Sequence, residues 1–111
     1  MDLDAEDSKL VTLARATRAR TGAREGAALR DLDGRTYAAA TVDLPHLQVS
    51  ALGVTIAMAC SSGAKGAEAV VLLGDGEPSA DDLAALRDFA GAGVPVHHGG
   101  PAGQLAGTVT S

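Results

Sequence analysis

Few side chains in this sequence are suited to catalysis or metal binding, and their spacing limits what they can do. Cys60 is the single thiol, and His46, His97 and His98 are the three imidazoles. Zinc-type sites need three or four such donors converging on one point. His97 and His98 are adjacent, so on a strand they face opposite ways and cannot share an ion. Each reads as a satisfied or solvent-facing histidine, and Cys60 as a small buried hydrophobe. His46 and Ser50 are the residue types of a base and a nucleophile, but no acidic orienter is evident beside them. Ser50 is therefore read as a residue of helix packing or a backbone hydrogen bond. Gly74-Asp75-Gly76 lacks the further glycines or the Gly-Lys-Ser/Thr of a phosphate loop and reads as a turn. Arg15, Arg18, Arg20 and Arg24 read as a solvated helix end. No metal site is expected.

The elements that must position these residues follow from periodicity and punctuation. Asp4 caps a first helix, with Glu6 and Asp7 in its opening turn, arginines near its end and Gly22 as its stop. Leu10, Leu13, Ala14 and Thr17 form its apolar stripe. Gly26 to Arg30 and Thr36 to Val42 read as strands joined by an Asp33-Gly34 hairpin turn. Leu44 to Ala64 carries no charge. Within it a central helix is expected over 48–62, with Val49, Leu52, Ile56, Ala59 and Gly63 near one face. Ala51, Val54, Ala57, Met58 and Cys60 make the other faces apolar too, so the helix should be covered on most sides, by a sheet and by another subunit. Ala67 to Leu73 is a continuous apolar strand of the doubly buried kind. Ser79 begins a helix through Ala90 with Leu83, Leu86 and Phe89 or Ala90 inward. Val94 to His97 is a short strand, and Leu105 to Val109 a weak one within a Gly- and Ala-rich tail over about 99–111.

Bulk properties narrow the function classes. A length of 111 residues fits one domain, 1–111, and its apolar content is mostly Ala, Val and Leu, a thin core that favours oligomers. The net charge of −5 argues against nucleic acid and against an anionic membrane surface. An acidic N-terminus is unlike a signal peptide, and the polar residues between Leu44 and Ala64 keep that stretch below a membrane span. With one cysteine, a cytoplasmic protein is expected.

The order is thus α-β-β-α-β-α-β, an α/β fold with a mixed sheet. With Gly26-Ala27-Ala28-Leu29, Asp33-Gly34-Arg35-Thr36-Tyr37 and Ala57-Met58-Ala59-Cys60-Ser61-Ser62-Gly63, it resembles the small, homotetrameric cytidine deaminases over roughly Leu10 to Val96. The resemblance implies an α/β/α three-layer sandwich and a tetramer assembled through the central helix. It also implies a zinc-bound hydroxide that attacks the pyrimidine while a glutamate moves protons. One zinc ligand and the glutamate belong to a Cys-Ala-Glu or His-Ala-Glu triplet, and two thiolates to a Pro-Cys-x-x-Cys motif.

In this sequence the triplet falls on Ser50-Ala51-Leu52, and the second motif on Pro78-Ser79-Ala80-Asp81-Asp82. Serine is a poor zinc ligand and Leu52 cannot carry a proton. Ser79 and Asp82 instead read as a helix cap. The family's ribose-holding Asn-x-Glu pair falls on Thr41 and Asp43, its ring-contacting Phe about on Ala23, and the loop before the central helix is shorter than usual. The expectation is a catalytically degenerate member of the fold, a pseudoenzyme with no cofactor, an oligomeric binding or scaffold role and a vestigial nucleoside pocket. The alternatives are a divergent cytidine deaminase with unrecognised ligands, where zinc would be expected, and a metal-free enzyme of another kind in the same cleft.

Overall fold

The computed structural model describes residues 3–111. Helix α1 (Ala5–Thr21) is capped by Asp4, whose carboxylate accepts the Asp7 N–H at 2.8 Å, and ends at Gly22 in the left-handed region. A hairpin of β1 (Gly26–Asp31) and β2 (Thr36–Ala40) follows. Next come β3 (Val42–Leu44), β4 (Leu47–Val49), α2 (Ala51–Ser61), β5 (Ala67–Leu73), α3 (Ala80–Ala90), β6 (Pro95–Gly99) and β7 (Leu105–Thr110). The main sheet has the order β2-β1-β5-β6-β7, and β3 and β4 pair separately. β5 and β6 are parallel, connected through α3, and the other pairings are antiparallel. The mixed α/β sheet expected from the sequence is present.

Alternation along the strands divides the core into two layers. On one face, Leu10 and Ala14 of α1 pack on Ala28, Ala69, Val71 and Leu73. On the other, Leu52, Ile56 and Ala59 of α2 and Leu86 of α3 pack on Ala27, Leu29, Val70, Leu72 and Val96. β5 therefore supplies buried side chains to both layers, as its apolar run over residues 69–73 predicts. Gly26 lies where α1 crosses β1; a Cβ there would collide with the Ala14 carbonyl oxygen and the Arg18 Cβ, so only glycine allows this approach.

The central segment departs from expectation. Residues 48 and 49 are not helical: Val42–Leu44 and Leu47–Val49 form a small hairpin, with Asp43 opposite Gln48, and α2 begins at Ala51. Pro45, lacking an N–H, sits in the two-residue turn, and the segment uses the period of a ribbon rather than a helix. Nor is the helix covered all round by its own chain. Ala51, Leu52, Thr55, Ile56 and Ala59 are buried, whereas Ala57, Met58 and Cys60 are exposed, so Cys60 is not the buried hydrophobe expected. No described helix is long and apolar enough to cross a membrane.

Candidate functional site

The N-termini of α2 and α3 meet beside an open cleft, and the residues at the motif positions meet there too. Ser50 has extended backbone, and its Oγ accepts the Gly53 N–H at 3.0 Å, which satisfies one free donor of α2. Ser79 does the same for α3, its Oγ accepting the Asp82 N–H at 3.1 Å. The two caps are joined: the Ser50 hydroxyl donates to Asp82 Oδ1 at 2.7 Å, a charge-assisted bond across 32 residues of sequence. Ser50 thus has an acidic partner, contrary to the sequence reading. Asp82 was legible only as part of a cap, because nothing local brings residue 82 to residue 50. His46 lies in the exposed hairpin turn.

Leu52 is fully buried in the core layer between α2 and the sheet. Ser50, Ser79 and Asp82 are therefore brought together, and Leu52 is turned to packing. Their donor set does not fit zinc. It offers two neutral hydroxyls, whose oxygens already accept backbone N–H groups, and one carboxylate. Among the described residues no three His, Cys, Asp or Glu side chains gather as a metal site would require.

The cleft has a volume of about 630 Å³ and is lined by Ala23, Arg24, Thr41, Asp43, Gln48 and Ser50, among others. The short β3–β4 hairpin lines one side and the segment after α1, residues 22–24, another. Thr41 is engaged with the start of β1: its Oγ accepts the Glu25 N–H at 3.1 Å, and its N–H donates to the Glu25 carbonyl at 3.1 Å. Asp43 is exposed on the ribbon. Both candidate ribose-contacting residues therefore line the cleft, with the Thr41 hydroxyl already spent on backbone.

Glu25 is a polar residue of this region that sequence reasoning missed. Burial raises its carboxyl pKa, and the Asp82 and Asp75 charges raise it further against the lowering effect of Arg24. Its side chain lies against Gly74, where a Cβ would come within 2.6 Å of Glu25 Cγ. That approach depends on how the β5–α3 loop meets β1, for which no local sequence signal exists. Arg24 pairs with Asp75 at 3.3 Å, both well exposed.

The opposite face of the sheet holds a different polar cluster. Asp7 of α1 accepts from Arg30 at 2.9 Å and is 3.0 Å from His97 Nε2, while His97 Nδ1 is 2.8 Å from Thr108 Oγ1. Arg30 also donates to Glu68 at 2.9 Å. Burial alone would raise the Asp7 pKa, but the hydrogen bonds and charges of Arg30 and His97 outweigh it and hold the carboxyl below its usual range. His97 is thus a satisfied histidine. His98 points to the other face, 4.0 Å from Glu77.

The sequence matches the family model described as Cytidine deaminase-like over residues 3–103. The chain belongs to the cytidine deaminase-like family. Among solved structures, cytidine deaminase from Mycobacterium leprae superposes with a TM-score of 0.76 at 20% identity, covering 98% of this chain and 94% of that one. The enzyme from Burkholderia pseudomallei gives 0.75 at 16% identity, covering 94% and 90%. That from Mycobacterium tuberculosis gives 0.73 at 21% identity, covering 87% and 86%. At these identities the likeness establishes a shared cytidine deaminase-like fold. No curated protein sequence is a significant match.

Proposed function

We propose that this protein is a catalytically degenerate member of the cytidine deaminase-like family, a binding or scaffold subunit rather than a deaminase. One observation carries the reading. The position corresponding to the proton-carrying glutamate holds Leu52, which is fully buried in the core and cannot exchange a proton with anything in the cleft. The engagement of Ser50 and Ser79 as helix caps supports it, since each oxygen already accepts a backbone N–H and a neutral hydroxyl is a poor zinc donor.

The cleft is the proposed ligand site, with Asp43 and Gln48 on the ribbon offering hydrogen bonds to a small nucleoside and Ser50, already engaged by Gly53 and Asp82, lining it. Thr41, tied to Glu25, acts on the ligand less directly. Assembly as a homo-oligomer, a tetramer by family resemblance, is proposed through the outward face of α2. Met58 there is 40% exposed beside Ala57 and Cys60, on a helix without a charged residue. A cytoplasmic location is consistent with the one free thiol.

Zinc content and turnover test the catalytic claim together. Purified protein should contain no stoichiometric zinc and leave cytidine absorbance unchanged; bound zinc with loss of that absorbance would instead support the divergent-deaminase alternative. Thermal shift with cytidine, uridine and deoxycytidine tests the cleft. No shift with any of them at millimolar concentration would remove the nucleoside.

A further inference from the structure

The motif positions are not simply emptied. In the Cys-Ala-Glu form of the family motif that the resemblance implies, three thiolates surround one divalent cation and carry a single net negative charge. That group would stand between the amino-terminal ends of two helices, where the backbone dipoles favour negative charge. In this chain the same junction holds the Asp82 carboxylate, also a single negative charge, in the first turn of α3. It accepts a hydrogen bond from the Ser50 hydroxyl at 2.7 Å, and Ser50 is in turn fixed by the Gly53 N–H. Asp82 is anchored on its own side by the bond from its N–H to Ser79 Oγ. Each of the three side chains therefore has a definite partner, and together they link α2 to α3 without an ion.

We infer that Ser50, Ser79 and Asp82 form a metal-free clasp that holds the two helix N-termini together, replacing a metal centre in both its connecting role and its charge. The inference rests on the reading that no metal works at this site. Gly53 belongs to the clasp as well. A Cβ at that position would stand 2.9 Å from Ser50 Oγ and 3.1 Å from Val49 Cγ1, so a side chain there would displace the cap.

A double-mutant cycle reads the clasp. Ser50→Ala and Asp82→Ala should each lower the melting temperature by roughly 5–10 °C, and the pair should lower it little more than the larger single change. Asp81→Ala, which removes an exposed carboxylate from the same helix turn, should change it far less. Additive losses, or an Asp81 effect equal to that of Asp82, would overturn the clasp and leave the catalytic reading standing. A chelator should not lower the wild-type melting temperature; stoichiometric zinc lost to the chelator would overturn both. As a gain-of-site test, the triple variant Ser50→Cys, Ser79→Cys, Asp82→Cys should take up one cobalt(II) ion with thiolate charge-transfer absorption and become chelator-sensitive. A folded triple variant that binds no cobalt would show that the three positions do not converge. Should that variant fail to fold, the double-mutant cycle still decides.

Discussion

The two faces of the sheet hold polar groups in opposite ways. On the α1 face, half-buried Asp7 and Arg30 and buried His97 are joined by contacts spanning up to 90 residues of sequence. On the α2 and α3 face, Ser50, Ser79 and Asp82 are exposed or half-buried, and two of their bonds are local helix caps. The first cluster is the more expensive to disturb, because loss of one partner leaves a charge where little water reaches it. The second sits at the edge of an open cleft, where water can offset part of what a lost partner costs.

The strongest way to break this contrast is to put a charge where the cleft face is dry. Leu52→Glu restores the side-chain type that the family resemblance implies, but Leu52 lies fully buried in the core. The expected cost is about 3–5 kcal/mol in urea unfolding, without gain of deaminase activity; wild-type stability in this variant would contradict the assigned packing of Leu52.

Next in size is Asp7→Ala, which removes one partner each from Arg30 and His97 and leaves them Glu68 and Thr108. We expect a loss of about 2–4 kcal/mol. The pH dependence has a definite sign. Asp7 is held below its ordinary value of 3.8, so its stabilisation is complete above that value and disappears as pH falls through the lower folded-state pKa. Asp31, buried behind the β1–β2 turn, acts in the same direction. Burial would raise its pKa, but hydrogen bonds from the Arg35 and Asp33 N–H groups and from the Tyr37 hydroxyl lower it. Unfolding titrations below about pH 4 should therefore show an acid loss that is shallower in Asp7→Asn than in wild type. Equal slopes would remove Asp7 from the account.

Ala57→Glu probes the exposed side of α2. It should leave the melting transition of the subunit nearly intact while reducing native mass in sedimentation. A wild type that already sediments as a monomer would refute the proposed interface. Gly53 is a poorer choice for this test, since a side chain there also disturbs Ser50.

The smallest effect sharpens the comparison by its sign. Glu25, with a raised pKa, is penalised when ionised, the reverse of Asp7. Glu25→Gln should slightly raise the melting temperature at neutral pH, and the gain should vanish as pH falls below the ordinary glutamate value of 4.5. A loss at neutral pH would mean that Glu25 has a stabilising partner.

Local information sufficed wherever a residue's role is played within a few positions of itself. Asp4 and Ser79 as caps, Gly22 as a helix stop, the Asp33-Gly34 turn, the apolar strand at Ala67–Leu73 and the opposed histidines could all be read from residue type and spacing. The β3–β4 ribbon could not, because an uncharged stretch containing Leu44, Leu47 and Val49 suits a helix and a ribbon alike until Pro45 is placed in a turn. Nor could the exposure of Cys60, which depends on what covers α2.

Three features belong to tertiary structure alone: the Ser50–Asp82 bond, the approach of Glu25 to Gly74, and the Asp7–Arg30–His97 cluster. The sequence by itself determined that positions 50, 52 and 79 carry neither a thiol, an imidazole nor a carboxylate, since that follows from side-chain identity. What those residues do instead was decided by the packing of α2 and α3 on the sheet. A hydrogen bond between distant residues is a matter of distance and direction, and the chain acquires both only on folding.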